Sequence, residues 1–445
     1  MSVFYLKSFF FLAVSSIALA CIVPSEYNRI YNSVAMVIYI LEVIFFLKFK
    51  RKDNYCDFDV IFLLIFGISA FAYPVFFYIP SDPFIYFFNL PFDINSISKA
   101  VSLSLIAATS YMVGGLCKIK TLSNCSENRK NELVKNNTLI IIIALGILMF
   151  VLLGGIGQLK STYNKDFETT ASGGVMQIMA ILQACFIATI GAELYNKQLN
   201  CNYHFNKFLL IEILLFTILM LYVGNRTYAM IISLPLICYY TIIRHKIKFY
   251  QLCLLLPFAF IFMWTIQVSR TGRSIEGQTV EAVSFFRDVV IPCRSNYLVY
   301  EVVEQKGFTY GESMSGGIIG VVPSLERILK STINLDSNKI GSAFLFTEYS
   351  YGEIGKGVTG LGTMLQADAY LSFGIIGVVL IFGCIGYTIS RCLYGVSENR
   401  YFLIVVFMTL MGHSIFWIRA EATYPIKTLV WALIIAYFNK RWKIR

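Results

Sequence analysis

About twelve apolar runs of 16 to 24 residues, separated by polar interruptions, constrain this chain more than any other feature. A lipid core about 30 Å thick is crossed by about 20 helical residues, and a backbone in lipid must satisfy its own hydrogen bonds. The runs fall near 4–23, 31–47, 58–79, 97–117, 137–154, 174–195, 208–223, 227–243, 251–268, 367–390, 401–418 and 424–439. Composition agrees: 57% of the 445 residues are hydrophobic and 14% are charged, against roughly 25% charged in soluble domains. No water-soluble fold hides that much apolar surface. The sequence therefore predicts an all-α polytopic integral membrane protein of about twelve transmembrane helices. Its divisions are 1–268 (helices one to nine), 269–366 (one large loop module) and 367–445 (helices ten to twelve).

Charge orients these segments. The first run, with Lys7 ahead of Ser15-Ser16-Ile17-Ala18-Leu19-Ala20, could pass for a cleavable signal peptide. With the N-terminus inside and the run retained, the inside loops and tail carry 20 Lys/Arg, or 21 with Lys7; the short outside loops carry seven. That is the positive-inside bias, and it fits an even number of crossings with both termini in the cytoplasm. The net charge of +11 is then topogenic and implies no nucleic acid. Eleven cysteines, of which only Cys293 falls in an outside loop, exclude a disulfide framework.

Residues 269–366 stand out, because every other connection is about twenty residues or shorter. This outside loop holds nine Lys/Arg and ten Asp/Glu, as a folded module would. Val280, Val283, Phe286 and Val290 have a helical period that ends before Pro292, and a second helix is expected over 296–304. Gly311, Gly316, Gly317, Gly320 and Pro323 break the middle, and the glycines of 352–362 make a loop into the tenth helix.

Ionisable residues on the outer side are the candidate site, because charge near lipid is costly. Arg226, Arg270, Arg273, Arg287 and Arg294 are all arginine, whose planar fork grips phosphate oxygens in pairs; ion pairs with Glu276, Glu281 and Asp288 are the structural alternative. Arg226 lies in the short turn Gly224-Asn225-Arg226-Thr227, where Asn225 or Thr227 would cap the next helix. Asp368 opens the tenth helix, where a carboxylate is stabilised by the helix N-terminus and could accept a proton from a sugar hydroxyl. His413 is a second proton carrier or a neutral hydrogen-bonding core residue. Arg419 and Glu421 either touch substrate or pair with each other. Gly374, Gly377, Gly383 and Gly386 would let the tenth helix pack closely.

No phosphate-binding loop of the nucleoside-triphosphate type, no dinucleotide fingerprint and no outside Cys/His cluster with metal spacing occurs. The expectation is a site with no metal and no cofactor, whose energy arrives within the substrate.

The helix count, the late outside loop, Gly-Asn-Arg-Thr at 224–227 and the phrase from Gly360 to Val379 resemble the O-antigen polysaccharide polymerases, the Wzy family. The stretch from Tyr310 to Pro323 is phrased like that family's large periplasmic loop. The Arg-x10-Gly pattern of some members' loops is missing at Arg270, Arg273, Arg287 and Arg294. The resemblance implies a bacterial inner-membrane enzyme that joins undecaprenyl-diphosphate-linked oligosaccharide repeats at the periplasmic face. Undecaprenyl diphosphate would leave, with inversion at the transferred sugar. Arg226 with Arg270 or Arg273 would neutralise the leaving group, and Asp368 or His413 would take the acceptor proton. Arg287, Arg294, Arg419 and Glu421 would hold diphosphate or sugar. Membrane lipids, a chain-length regulator and a flippase are the implied partners. The alternatives are an O-antigen ligase and a lipid-linked oligosaccharide flippase or other transporter; the latter should show two related halves, and none is visible.

Overall fold

Only helices and closed barrels satisfy the backbone in lipid, and the chain takes the first route. The computed structural model describes residues 2–84, 87–88, 90–117, 132–163, 173–270, 289–333, 340–351 and 362–441, and among them there is no strand. The helices are α1 (Ser2–Cys21), α2 (Arg29–Phe49), α3 (Phe58–Ala72, extended by a π turn Tyr73–Phe77), α4 (Ser96–Leu116), α5 (Asn137–Leu152), α6 (Gly155–Tyr163), α7 (Gly173–Leu199), α8 (Lys207–Val223), α9 (Arg226–Ile243) and α10 (Phe249–Arg270). The long loop contributes α11 (Arg294–Lys306), α12 (Ser315–Ile319), α13 (Leu325–Ile333) and α14 (Ser342–Tyr351). Then come α15 (Leu365–Ser397), α16 (Tyr401–His413) and α17 (Ile426–Arg441). A helix thus occupies each of the twelve expected segments. Seven of those among the described residues are long and apolar enough to cross a membrane by themselves, and α5 and α16 are shorter apolar helices.

The chain divides into two compact units. The first holds residues 1–116, 280–388 and 414–424; the second holds 117–279, 389–413 and 425–445. The described loop helices therefore fold in with the first four helices. The helix expected over 279–291 and the loop at 352–362 lie largely outside the described residues, whereas the helix expected over 296–304 is α11.

In the first unit, α1, α2 and α4 pack on one another, and α11 lies against α4 and α14. Polar groups fasten these helices. Glu42 of α2 is fully buried and accepts from Ser16 Oγ at 2.6 Å and from Thr109 Oγ1 at 2.9 Å. At the α2–α3 turn, Lys50 reaches Asp59 at 2.9 Å and Lys52 reaches Asp59 at 2.8 Å, while Lys52 also bonds Asp57. The Tyr111 hydroxyl of α4 donates to Asp59 at 2.5 Å. These two lysines, counted above as loop charges, are thus half of a buried ion-pair cluster, from which removing one partner costs about 3–5 kcal/mol.

α15 crosses α4 with bare backbones touching: a Cβ at Gly386 would lie 1.9 Å from the Tyr111 carbonyl oxygen. Gly374, expected to serve packing, does something else. It has φ +63° and ψ −153°, after Phe373 at φ −141° and ψ 18°, so α15 is broken here. That backbone region is essentially reserved for glycine. The break frees the carbonyls of Leu371 and Ser372 from their helical partners. Thr309 N–H and Tyr310 N–H supply replacements at 3.0 and 3.1 Å, as a buried helix end requires.

In the second unit, α7 is the central helix, packed by α5, α9, α16 and α17. Asn225 is the N-cap of α9, its Oδ1 accepting from Tyr228 N–H at 3.1 Å.

Candidate functional site

The break in α15 cuts off a short first segment, 365–372, that is buried in protein except at Tyr370. Its start is pinned by Ser295 Oγ, which accepts from Met364 N–H at 2.9 Å. Asp368 sits here with no solvent exposure. Oδ1 accepts from Ser313 Oγ at 3.2 Å and Oδ2 accepts from Ala422 N–H at 2.8 Å, with the Ser342 side chain a further neighbour. Among the described residues no cation pairs with it; fixed dipoles hold the carboxylate in place.

Three stretches far apart in sequence build this nest. The 312–320 turn is tied to 414–424 by Thr423 Oγ1, which donates to the Met314 carbonyl at 2.7 Å. The same turn is tied to the approach to α14 by Gly316 N–H on the Ile340 carbonyl at 2.9 Å. Glu421 completes the nest. The Ser342 and Ala343 N–H groups at the start of α14 donate to its carboxylate, the arrangement a helix N-terminus favours.

Glu421 lies in the connection between α16 and α17. Burial, and next the Asp368 carboxylate, push its pKa up to about 7. In the unfolded chain it ionises near 4.5. The folded protein therefore binds one more proton between about pH 4.5 and 7, and its stability falls as pH rises through that window. Glu421→Gln keeps an oxygen for the two N–H donors and stays neutral, so it should remove this slope. Thermal melts of wild type and variant across that window check it; parallel slopes would assign the effect to another group.

Beside the nest is a cavity of about 400 Å³, within the usual range for small-molecule sites, about 300–1,000 Å³. Lys306, Phe308, Thr309, Glu312, Leu345 and Leu371 line it. Thr309 Oγ1 is 3.0 Å from Ser313 Oγ, so the cavity wall is one hydroxyl removed from the serine that touches Asp368. Aromatic rings continue away from it: Phe308 lies 6.1 Å from Tyr370, which lies 5.1 Å from Tyr300.

The other candidates are placed as follows. Arg294 opens α11 and is 4% exposed. Its Nη2 donates to the Pro91 carbonyl at 3.3 Å, and Nε and Nη1 have no hydrogen-bond partner among the described residues. Arg419 ends a 3₁₀ turn, Trp417–Arg419, in the same unit and is half-buried. In the second unit, half-buried Arg226 is the first residue of α9. His413 is buried at the end of α16, its Nδ1 2.8 Å from the Thr409 carbonyl. A carbonyl only accepts, so Nδ1 carries the proton and, in the neutral ring, Nε2 is the basic nitrogen. Arg273, Arg287 and the side chain of Arg270 lie outside the described residues. The structure therefore brings Asp368 and Glu421 together. It also adds Thr309, Ser313 and Ser342, none of which had been singled out as a site residue from the sequence. No group of three or more His, Cys, Asp or Glu side chains among the described residues could hold a metal ion.

The family model described as O-antigen polysaccharide polymerase Wzy matches residues 3–439 of the chain. The chain matches no curated protein and no solved structure.

Proposed function

The chain belongs to the O-antigen polysaccharide polymerase Wzy family, a membership under which it is a polymerase of the glycosyltransferase type, and we propose that it joins undecaprenyl-diphosphate-linked oligosaccharide repeats at the periplasmic face of a bacterial inner membrane. On this reading both termini are cytoplasmic and about twelve helices cross the bilayer. The growing chain is the donor, and its reducing-end sugar passes to a hydroxyl of a fresh lipid-linked repeat. Undecaprenyl diphosphate leaves, and attack from the opposite face inverts the anomeric centre.

The observation that carries the reading, beside the family match, is the buried Asp368 carboxylate next to a cavity of about 400 Å³. A base with fixed hydrogen-bond partners and no competing cation among the described residues is suited to take the acceptor proton. His413 is the second candidate for that proton. Arg226, with Arg270 or Arg273, is assigned to the developing charge on diphosphate, where a fixed guanidinium stabilises a leaving oxyanion. Arg287, Arg294, Arg419 and Glu421 are assigned to holding the substrate, Glu421 acting from its seat on α14. The enzyme is proposed to work beside a flippase and a chain-length regulator.

The test is surface lipopolysaccharide resolved on a gel after deletion of the gene and complementation. The expected result is core carrying a single repeat with the ladder lost, and the ladder restored by wild type. Loss of all O-antigen, single repeat included, would point to a ligase or flippase instead. A ladder restored by Arg226→Ala at normal protein level would remove Arg226 from the site.

A further inference from the structure

Asp368 cannot touch a substrate directly. It has no exposure, and protein atoms occupy the positions around both its oxygens. A carboxylate with this burial serves as a base only if something conducts the proton to it. The hydroxyls around it settle the direction in which a proton can travel. A hydroxyl has one proton to donate and two lone pairs to accept with. Ser313, itself fully buried, directs its proton to Asp368 Oδ1 at 3.2 Å and so must accept from its other neighbours. Those are Thr309 Oγ1 at 3.0 Å and Ser372 Oγ at 3.1 Å. Thr309 lines the cavity, and its Oγ1 has its shortest contact with Ser313, against 3.4 Å to the Leu371 carbonyl and 3.4 Å to Ser372 Oγ.

Backbone structure holds Thr309 in this position. Its own N–H caps the Leu371 carbonyl freed by the break in α15. The interruption at 373–374 thus does two things: it detaches the segment bearing Asp368, and it anchors the residue that joins Asp368 to the cavity.

We propose that Thr309 and Ser313 form a hydroxyl relay that carries the acceptor sugar's proton from the cavity to Asp368; this deepens the polymerase reading and rests on it. The acceptor oxygen bonds to the anomeric carbon of the donor sugar as the bond from that carbon to the diphosphate oxygen breaks. The electron pair of the broken bond leaves on the diphosphate. The acceptor's proton moves to Thr309 Oγ1, the Thr309 proton to Ser313 Oγ, and the Ser313 proton to Asp368 Oδ1. Both hydroxyls end neutral, and Asp368 alone has gained a proton, which returns by the same route to water once the products leave.

The experiment measures the initial rate of polymer formation by the full-length enzyme in detergent or vesicles, with lipid-linked repeat units as substrate. Thr309→Val preserves shape and removes the hydroxyl; Ser313→Ala interrupts the next link; Thr309→Ser retains a hydroxyl. The expected result is a fall in kcat of at least about tenfold for Thr309→Val and for Ser313→Ala, with KM within about twofold and Thr309→Ser close to wild type. In wild type the kcat should fall in heavy water, with more than one proton contributing. Size-exclusion profiles and melting temperatures establish that each variant is folded, and Ser313→Ala tests the same route should Thr309→Val not fold. Either variant at wild-type kcat, with Asp368→Asn inactive, overturns the relay and leaves the polymerase reading standing. Asp368→Asn at wild-type rate would instead remove Asp368 as the base. A folded enzyme whose wild type makes no polymer from lipid-linked repeats would sink the reading itself.

Discussion

Asp368→Asn is expected to fold and to abolish polymerisation, with a rate loss of about 10²–10⁴, the usual contribution of a positioned general base. Asparagine nearly matches aspartate in volume, and its Oδ1 can accept from Ala422 N–H as the carboxylate does at 2.8 Å. Its amide N–H₂ can face Ser313, whose hydroxyl then turns to accept. Packing and connectivity survive while the ability to take up a proton is lost. In a deletion strain this variant should leave a single-repeat band and no ladder at a protein level matching wild type. A full ladder would transfer the role of base to another group, with His413 next in order.

The second large effect concerns the fold. At Gly386 an added Cβ would stand 1.9 Å from the Tyr111 carbonyl oxygen and 2.9 Å from Gly115 N, both backbone atoms that cannot rotate away. Gly386→Val therefore has to push α15 off α4. Tyr111 is also the residue that holds Asp59, and with it the Lys50–Lys52 cluster. The expected cost exceeds about 4 kcal/mol, the range where overpacking and a broken buried charge network act together. The measurement is the yield of monodisperse protein by size exclusion, with melting temperature for whatever survives. Gly383→Ala is the contrast one turn away: a Cβ there finds only the Ser110 carbonyl oxygen at 3.8 Å. It should be tolerated. Equal losses at both positions would show that the crossing at 386 is not the sensitive contact.

Helices were legible in the sequence because an apolar run of membrane length is a local signal, carried by consecutive residues. Asp368 at the start of α15 and Asn225 as a cap were legible for the same reason. The surroundings of Asp368 were not. Ser313 and Ala422 lie 55 and 54 positions away in sequence, and a serine in a glycine-rich loop has no periodicity to mark it. Gly374 was read as a packing glycine because the sequence does not distinguish a missing Cβ that makes room from one that permits a left-handed backbone. Lys50 and Lys52 were counted as loop charges because their partners, Asp57 and Asp59, are acidic residues whose burial only the packed helices determine.

The α4–α15 crossing also has a chronology. About 270 residues separate the end of α4 from Gly386, so at roughly 5–20 residues per second synthesis of the partner follows after roughly 15–50 s. The bonds that Glu42 makes to Ser16 and Thr109 need only the first 109 residues. The α1–α2–α4 cluster can therefore close early, and it waits with the bare backbone at Gly114, which later meets Gly383, turned toward whatever surrounds it. A nascent chain halted before residue 365 should carry this cluster already assembled, with the groove that α15 later fills still accessible to the insertion machinery.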